Sequence, residues 1–136
     1  TMNREKLYTS KNVDIEFDEQ GNFMYANWKG FQSVENVKFG CEKMLEFLKQ
    51  KNISRVLNDN RLVTGPWQGA AEWAAKEWFP RMFASGMTHF AWIQSASVFS
   101  QLSAEKALSE TDESWKTQGI RTFDDPELAR KWVLAG

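Results

Sequence analysis

Residues 56–93 read VLNDNRLVTGPWQGAAEWAAKEWFPRMFASGMTHFAWI. The stretch has the order of a βαβ unit: a short strand, a polar turn, a long tryptophan-rich helix and a second buried strand. Such a unit implies two parallel strands with a helix lying across their sheet. Pro66 suits the first turn of the helix, where its missing N–H costs nothing, and Thr64 or Gly65 precedes it as a cap. At about 100° per residue, Trp67, Ala71, Ala74, Ala75, Trp78, Phe79 and Met82 share one arc of roughly 140°. Pro80 predicts a kink or an irregular last turn. Gly86, after Ser85, supplies a left-handed stop. Thr88–Ile93 is apolar and aromatic, as a buried strand should be, and Ile53–Leu57 is its partner strand.

Two features of this stretch are candidate site elements. Asn58-Asp59-Asn60 falls at the carboxyl end of the first predicted strand, where open α/β sheets bind ligands. Turn chemistry is the simpler account, because Asn and Asp bond their own backbone and end strands. Trp73 lies about 120° from the nearest edge of the apolar arc. It either marks a contact surface or packs beneath a neighbouring loop or helix. Thr64 and Trp67 extend the same candidate surface towards the helix.

Composition narrows the function classes. With 136 residues, 42% of them apolar and 26% charged, the chain is the size of one domain, read as 1–136 with a core at about 11–134. Seven Trp and ten Phe predict a large aromatic core. A net charge of −1 argues against nucleic acid and against an anionic membrane surface. No run reaches the ~18 apolar residues of a membrane span. The single cysteine, Cys41, excludes an intramolecular disulfide and a cysteine metal cluster. It falls on the apolar face of a predicted helix and reads as a small buried hydrophobe. The polar N-terminal run predicts no signal peptide, and a cytoplasmic location is expected. His89 is the only histidine and sits in a predicted strand, so a zinc set or a Ser-His-Asp system has little to build on. No GxGxxG or P-loop occurs, and no carboxylate pair stands out for acid–base work. No enzyme activity, metal or cofactor is therefore expected.

The rest of the chain falls into place around the central unit. Val13–Phe17 and Phe23–Trp28 alternate about a glycine-containing turn and predict a hairpin. Leu7–Thr9 adds an edge strand or only leads in. Ser33 caps a helix whose stripe is Val34, Val37, Cys41, Met44, Leu45 and Leu48, ended by Lys51-Asn52. Val98, Phe99 and Leu102 have helical spacing within a Ser- and Ala-rich stretch, and Glu110–Ser114 reads as a loop or helix end. Ile120–Phe123 is a last strand, and Asp124-Asp125-Pro126 starts a helix with Leu128, Ala129, Trp132 and Val133 on one face. The fold class is α/β: a mixed central sheet of about five strands, an N-terminal hairpin and then βαβ units, covered by about four helices.

This order of elements resembles the SpoIIAA-like group of STAS-related domains over about residues 11–134. One stretch that carries the likeness runs from Val56-Leu57-Asn58-Asp59-Asn60 through Trp78-Phe79-Pro80-Arg81. The other is the ending from Ile120 through Phe123-Asp124-Asp125-Pro126 to Ala129 and Trp132. The resemblance implies a mixed sheet covered by helices and a non-enzymatic regulatory or protein-interaction role, with a protein partner or a homodimer. Anti-anti-sigma factors of this kind bind a kinase and are switched by phosphorylation at an Asp-Ser-Ser/Thr-Gly turn before a helix. Leu62-Val63-Thr64-Gly65 occupies that place, matching only the last two positions, so Thr64 is the implied phosphorylation candidate. The same fold type also appears in lipid-binding domains with an apolar pocket. On that alternative a small apolar ligand or lipid sits near Trp67, Trp78 and Trp92.

Overall fold

The computed structural model describes residues 4–135; residues 1–3 and 136, the ends of the predicted domain, lie outside the described residues. It is an α/β structure built on a six-stranded mixed sheet whose spatial order follows the chain, β1 to β6. β1 (Arg4–Thr9), β2 (Val13–Asp18) and β3 (Phe23–Gly30) form an antiparallel meander. β4 (Arg55–Val63), β5 (His89–Ile93) and β6 (Ile120–Phe123) then add in parallel. The doubtful segment at Leu7–Thr9 thus belongs to a true edge strand, which takes the sheet from about five strands to six.

α1 (Val34–Gln50) starts where Ser33 Oγ accepts the N–H of Asn36 at 3.0 Å, and it buries Val37, Cys41, Met44, Leu45 and Leu48. The tryptophan-bearing segment, α2, is not one regular helix. It runs as a 3₁₀ turn (Gln68–Ala70), an α-helical turn (Ala71–Trp73), a π-helical turn (Ala74–Trp78) and an α-helix (Phe79–Ala84). The irregularity expected at Pro80 takes the form of the π turn just before it. The N–H of Phe79 bonds to the carbonyl of Ala74, five residues back. In a regular helix the Pro80 ring would crowd the carbonyl of Lys76, and the wider turn relieves that clash. Gly86 ends the segment at φ +109°. Despite the uneven winding, every residue of the apolar arc predicted for α2 is buried.

α3 (Val98–Ser109) and α4 (Glu113–Gly119) lead into β6. Sequence reading took Glu110–Ser114 for a loop or helix end and left α4 out; Glu110 is the C-cap of α3. Asp112 caps α4 by accepting the N–H of Ser114 at 2.9 Å, and Trp115 stacks flat on Phe83 with ring centroids 4.5 Å apart. α5 (Pro126–Ala135) begins where Asp125 accepts the N–H of Glu127 at 2.9 Å, as the Asp-Asp-Pro signal predicts.

Because the strand order never reverses, right-handed crossovers carry α1, α2 and α3 onto one face of the sheet. The main core lies between that face and those helices. Phe79 and Phe90 meet edge-to-face at 5.1 Å, and Trp78 and Trp92 each pack against Phe90 at 5.8 and 5.6 Å. The other face is covered by α5 alone, where Ala129 and Val133 meet Phe23, Leu57, Ala91 and Ile93. Its remaining area carries charge: Arg4 pairs with Glu16 and Asp18 at 3.4 and 3.3 Å, and Lys29 with Asp14 at 2.8 Å. Among the described residues, no helix is long and apolar enough to cross a membrane.

α1 is held close to the sheet at Gly40, which is buried against the ring of Trp28. A Cβ at Gly40 would overlap Trp28 Cη2 and lie 2.8 Å from Cζ3 and 3.3 Å from Val13 Cγ1. Gly40→Ala should therefore lower stability in urea unfolding by about 1–3 kcal/mol, even though alanine favours a helix by about 1 kcal/mol over glycine. An unchanged or raised midpoint would show that the Trp28 ring is free to move.

Candidate functional site

The site starts from the residues that sequence reading placed in a turn. Asn58, Asp59 and Asn60 lie inside β4, a nine-residue strand paired on both sides, and all are buried. They remain in the strand because each finds a side-chain partner. Asn58 Oδ1 accepts the indole N–H of Trp28 at 2.9 Å, and its Nδ2 donates to Asn60 Oδ1 at 3.4 Å. Asp59 points to the other face, where it accepts Tyr25 Oη–H at 2.6 Å and the guanidinium of Arg61 at 2.7 to 3.2 Å. These bonds satisfy polar groups that would otherwise be costly to bury. A register shift follows: Asn27 pairs with Asp59, but Lys29 pairs with Leu62, so β4 holds one extra residue opposite Trp28. The bulge returns Val63 to the buried face and leaves Leu62 exposed.

Asn58 and Asn60 point into a pocket between the sheet and the helices. Trp28, Trp67, Trp78 and Trp92 supply most of its aromatic wall, with Phe79 and Phe90 behind them. The cavity volume is ≈ 40 Å³, and the pocket is partly open to solvent. The three tryptophans expected near a ligand, Trp67, Trp78 and Trp92, are brought together here. Trp28 and Gln32 are added to them without any local sequence signal. The sheet has no reversal of strand order, so the crevice that doubly wound sheets use is not formed. The pocket lies under α2 instead.

Hydrogen bonding within the wall is uneven. Trp78 Nε1 donates to the carbonyl of Cys41 at 2.8 Å, and Trp67 Nε1 to Ser100 Oγ at 3.2 Å. Gln32 Nε2 donates to the carbonyls of Lys29 and Asn12 at 2.8 and 3.0 Å. Trp92 Nε1 and Gln32 Oε1 are buried and have no partner among the described residues. Cys41 also lines the pocket, and burial, followed by the charge of Glu42, pushes its thiol well up, so it stays protonated and unreactive.

The cap expected at Thr64 or Gly65 is absent, and Pro66 precedes the helix: the first helical turn begins only at Gln68, and no side chain caps it. Serines of the following segment take over. Ser103 Oγ accepts the N–H of Trp67 at 2.9 Å, Ser97 Oγ accepts that of Gly65 at 3.3 Å, and Ser95 Oγ donates to the carbonyl of Val63 at 2.7 Å. Thr64 is exposed, bonds through its N–H to the carbonyl of Gly30 at 3.1 Å and lies outside the pocket. α3 is consequently turned inside out relative to its sequence pattern. It buries Ser100, Ser103, Ala104 and Ala107 and exposes Val98, Phe99 and Leu102 at 62%, 63% and 54%. Trp73 is half-buried against the main core, with Lys38 Nζ 5.6 Å from its ring centroid, and it too is outside the pocket. His89 stands at the start of β5 with its ring 4.9 Å from that of Trp132.

No family model, curated protein or solved structure matches the chain.

Burial alone would raise the Asp59 carboxyl, but the hydrogen bonds from Arg61 and Tyr25 outweigh it and hold the group below the usual carboxylate range. A depressed folded-state value contributes stability above the unfolded value, about 3.9. That contribution is lost as pH falls through the folded value. Asp59→Asn should therefore be less stable than wild type at neutral pH, by about 1.5–3 kcal/mol. It should also lack part of the wild-type loss below about pH 4. Urea unfolding at a series of pH values checks this; parallel profiles for the two proteins would remove Asp59 from the account.

Proposed function

We propose that the protein is a non-catalytic binding module whose aromatic pocket takes a small, largely apolar ligand. The observation that carries this is the pocket itself: four indoles converge with three amide side chains, Asn58, Asn60 and Gln32, on one partly open cavity. An apolar cavity with a few polar groups aimed into it is the usual form of a small-molecule site. Among the described residues Cys41 is the only titratable side chain in its wall, and a raised thiol is a poor nucleophile. A binding role asks less of such a lining than acid–base or covalent chemistry would. The SpoIIAA-like kinship, proposed on the two sequence stretches, fits a role of this kind and supplies the regulatory context for it.

A second role has its own support. Val98, Phe99 and Leu102 form an exposed apolar stripe on α3, and exposed stripes of this kind mark partner surfaces. A protein partner or a second copy of the chain seated there would make the module a regulatory one, as the family likeness implies. Thr64 is left out of this role, since it stands several residues ahead of an uncapped 3₁₀ turn and not at a helix N-terminus.

Native mass spectrometry of gently purified protein should show a small-molecule adduct, or one formed on adding a fragment library. Ala74→Leu, which fills the cavity from α2, should remove it while circular dichroism stays unchanged. A protein that takes up nothing, or an adduct that survives Ala74→Leu, excludes the pocket as the site. For the second role, sedimentation should give the mass of two chains for wild type and of one chain for Phe99→Asp. A single-chain mass for both ends the self-association variant.

A further inference from the structure

Two buried polar atoms on residues that line the pocket have no partner among the described residues. Trp92 and Gln32 are each 3% exposed, and both line the cavity. An indole N–H can only donate. The Gln32 amide is fixed in orientation, because its nitrogen meets two main-chain carbonyls, which can only accept. Its oxygen is therefore the free end. Two residues of the cavity wall thus carry one idle donor and one idle acceptor, beside the amides of Asn58 and Asn60 and a lining that is mostly aromatic and aliphatic. An idle buried polar group is unfavourable, and an occupant that pairs it recovers what was lost.

We infer that the pocket recognises an uncharged hydroxyl head on an apolar body: Trp92 Nε1–H donates to the hydroxyl oxygen, and Gln32 Oε1 accepts its proton. This rests on the binding role proposed above and names the ligand class for the same site. A hydrocarbon would leave both protein atoms unpaired, and an ether would pair only Trp92. Among the described residues no charged side chain lines the cavity, so an ammonium or carboxylate would be buried without compensation. A volume of ≈ 40 Å³ has room for roughly three water-sized groups at ~10–15 Å³ each. The hydroxyl and its first carbons fit inside, and a longer body leaves through the open side.

The test uses two isomers, 1-butanol and methyl propyl ether, with n-pentane as the hydrocarbon, titrated into ¹⁵N-labelled protein. The Trp92 indole N–H resonance, assigned by its nuclear Overhauser contacts in the wild-type protein, is followed by NMR. 1-Butanol should bind roughly tenfold more tightly than the ether, the worth of one hydrogen bond. It should also move the Trp92 resonance downfield. Trp92→Phe should weaken 1-butanol binding by a similar factor; if that variant does not fold, the wild-type resonance decides. Equal binding of all three probes overturns the hydroxyl head, because water or nothing then satisfies the two atoms, and leaves the binding role standing. Failure of every probe to bind overturns both.

Discussion

The hydrogen bond of 2.9 Å from the Trp28 indole to Asn58 lets a central strand carry an amide on its buried face. Without that donor, Asn58 would sit among indoles with its carbonyl unanswered, and the strand would be driven to end before it. With it, β4 continues through Asn60 to Val63 and pairs with both neighbours. The bond also fixes the Trp28 ring, against which Gly40 brings α1 down onto the sheet. The pocket is the space these two contacts leave beneath α2.

The two faces of the sheet answer different demands. One face receives the connecting helices and the large aromatic residues, and its core is continuous from Val13 to Ile120. The other has only α5 to cover it and closes a small core around Phe23, Leu57 and Ile93. Over β1 to β3 it is finished with ion pairs and with Arg4 lying 4.5 Å over the ring of Tyr25. These pairs are only partly exposed, with Asp18 buried, and they hold charge on the part of the sheet face that no helix covers. The Tyr25–Asp59–Arg61 group marks the boundary between the two regions. There burial, then the hydrogen bond to Asp59 and its negative charge, raise the Tyr25 phenol and keep it neutral.

What was legible in the sequence was what local periodicity and caps encode. The α2 arc, the Ser33 and Asp125 caps and the parallel pairing of the strands at Val56 and Phe90 are all present. So is the convergence of Trp67, Trp78 and Trp92. The errors share one physical cause, a partner far away in the chain. Asn58 and Asp59 looked like turn residues because Trp28 and Tyr25, which satisfy them, lie 30 and 34 positions earlier. The spacing of Val98, Phe99 and Leu102 announced the helix but not that they face outward, because nothing nearby announces that Ser100 and Ser103 bond Trp67. Gln32 carried no signal at all, since its role depends on two loop carbonyls and on which end of its amide they leave free.

The unbroken sequential order of the sheet bears on how the chain can be made. Each strand emerging from synthesis finds its only earlier partner already at the margin of the growing sheet, so no strand has to be inserted between two others. Assembly can advance from the N-terminal meander outwards, one crossover at a time. Ala129 and Val133 follow all six strands in the chain, so Phe23, Leu57 and Ile93 stay uncovered until α5 has been made. Until then that face of the half-made protein carries an open apolar patch.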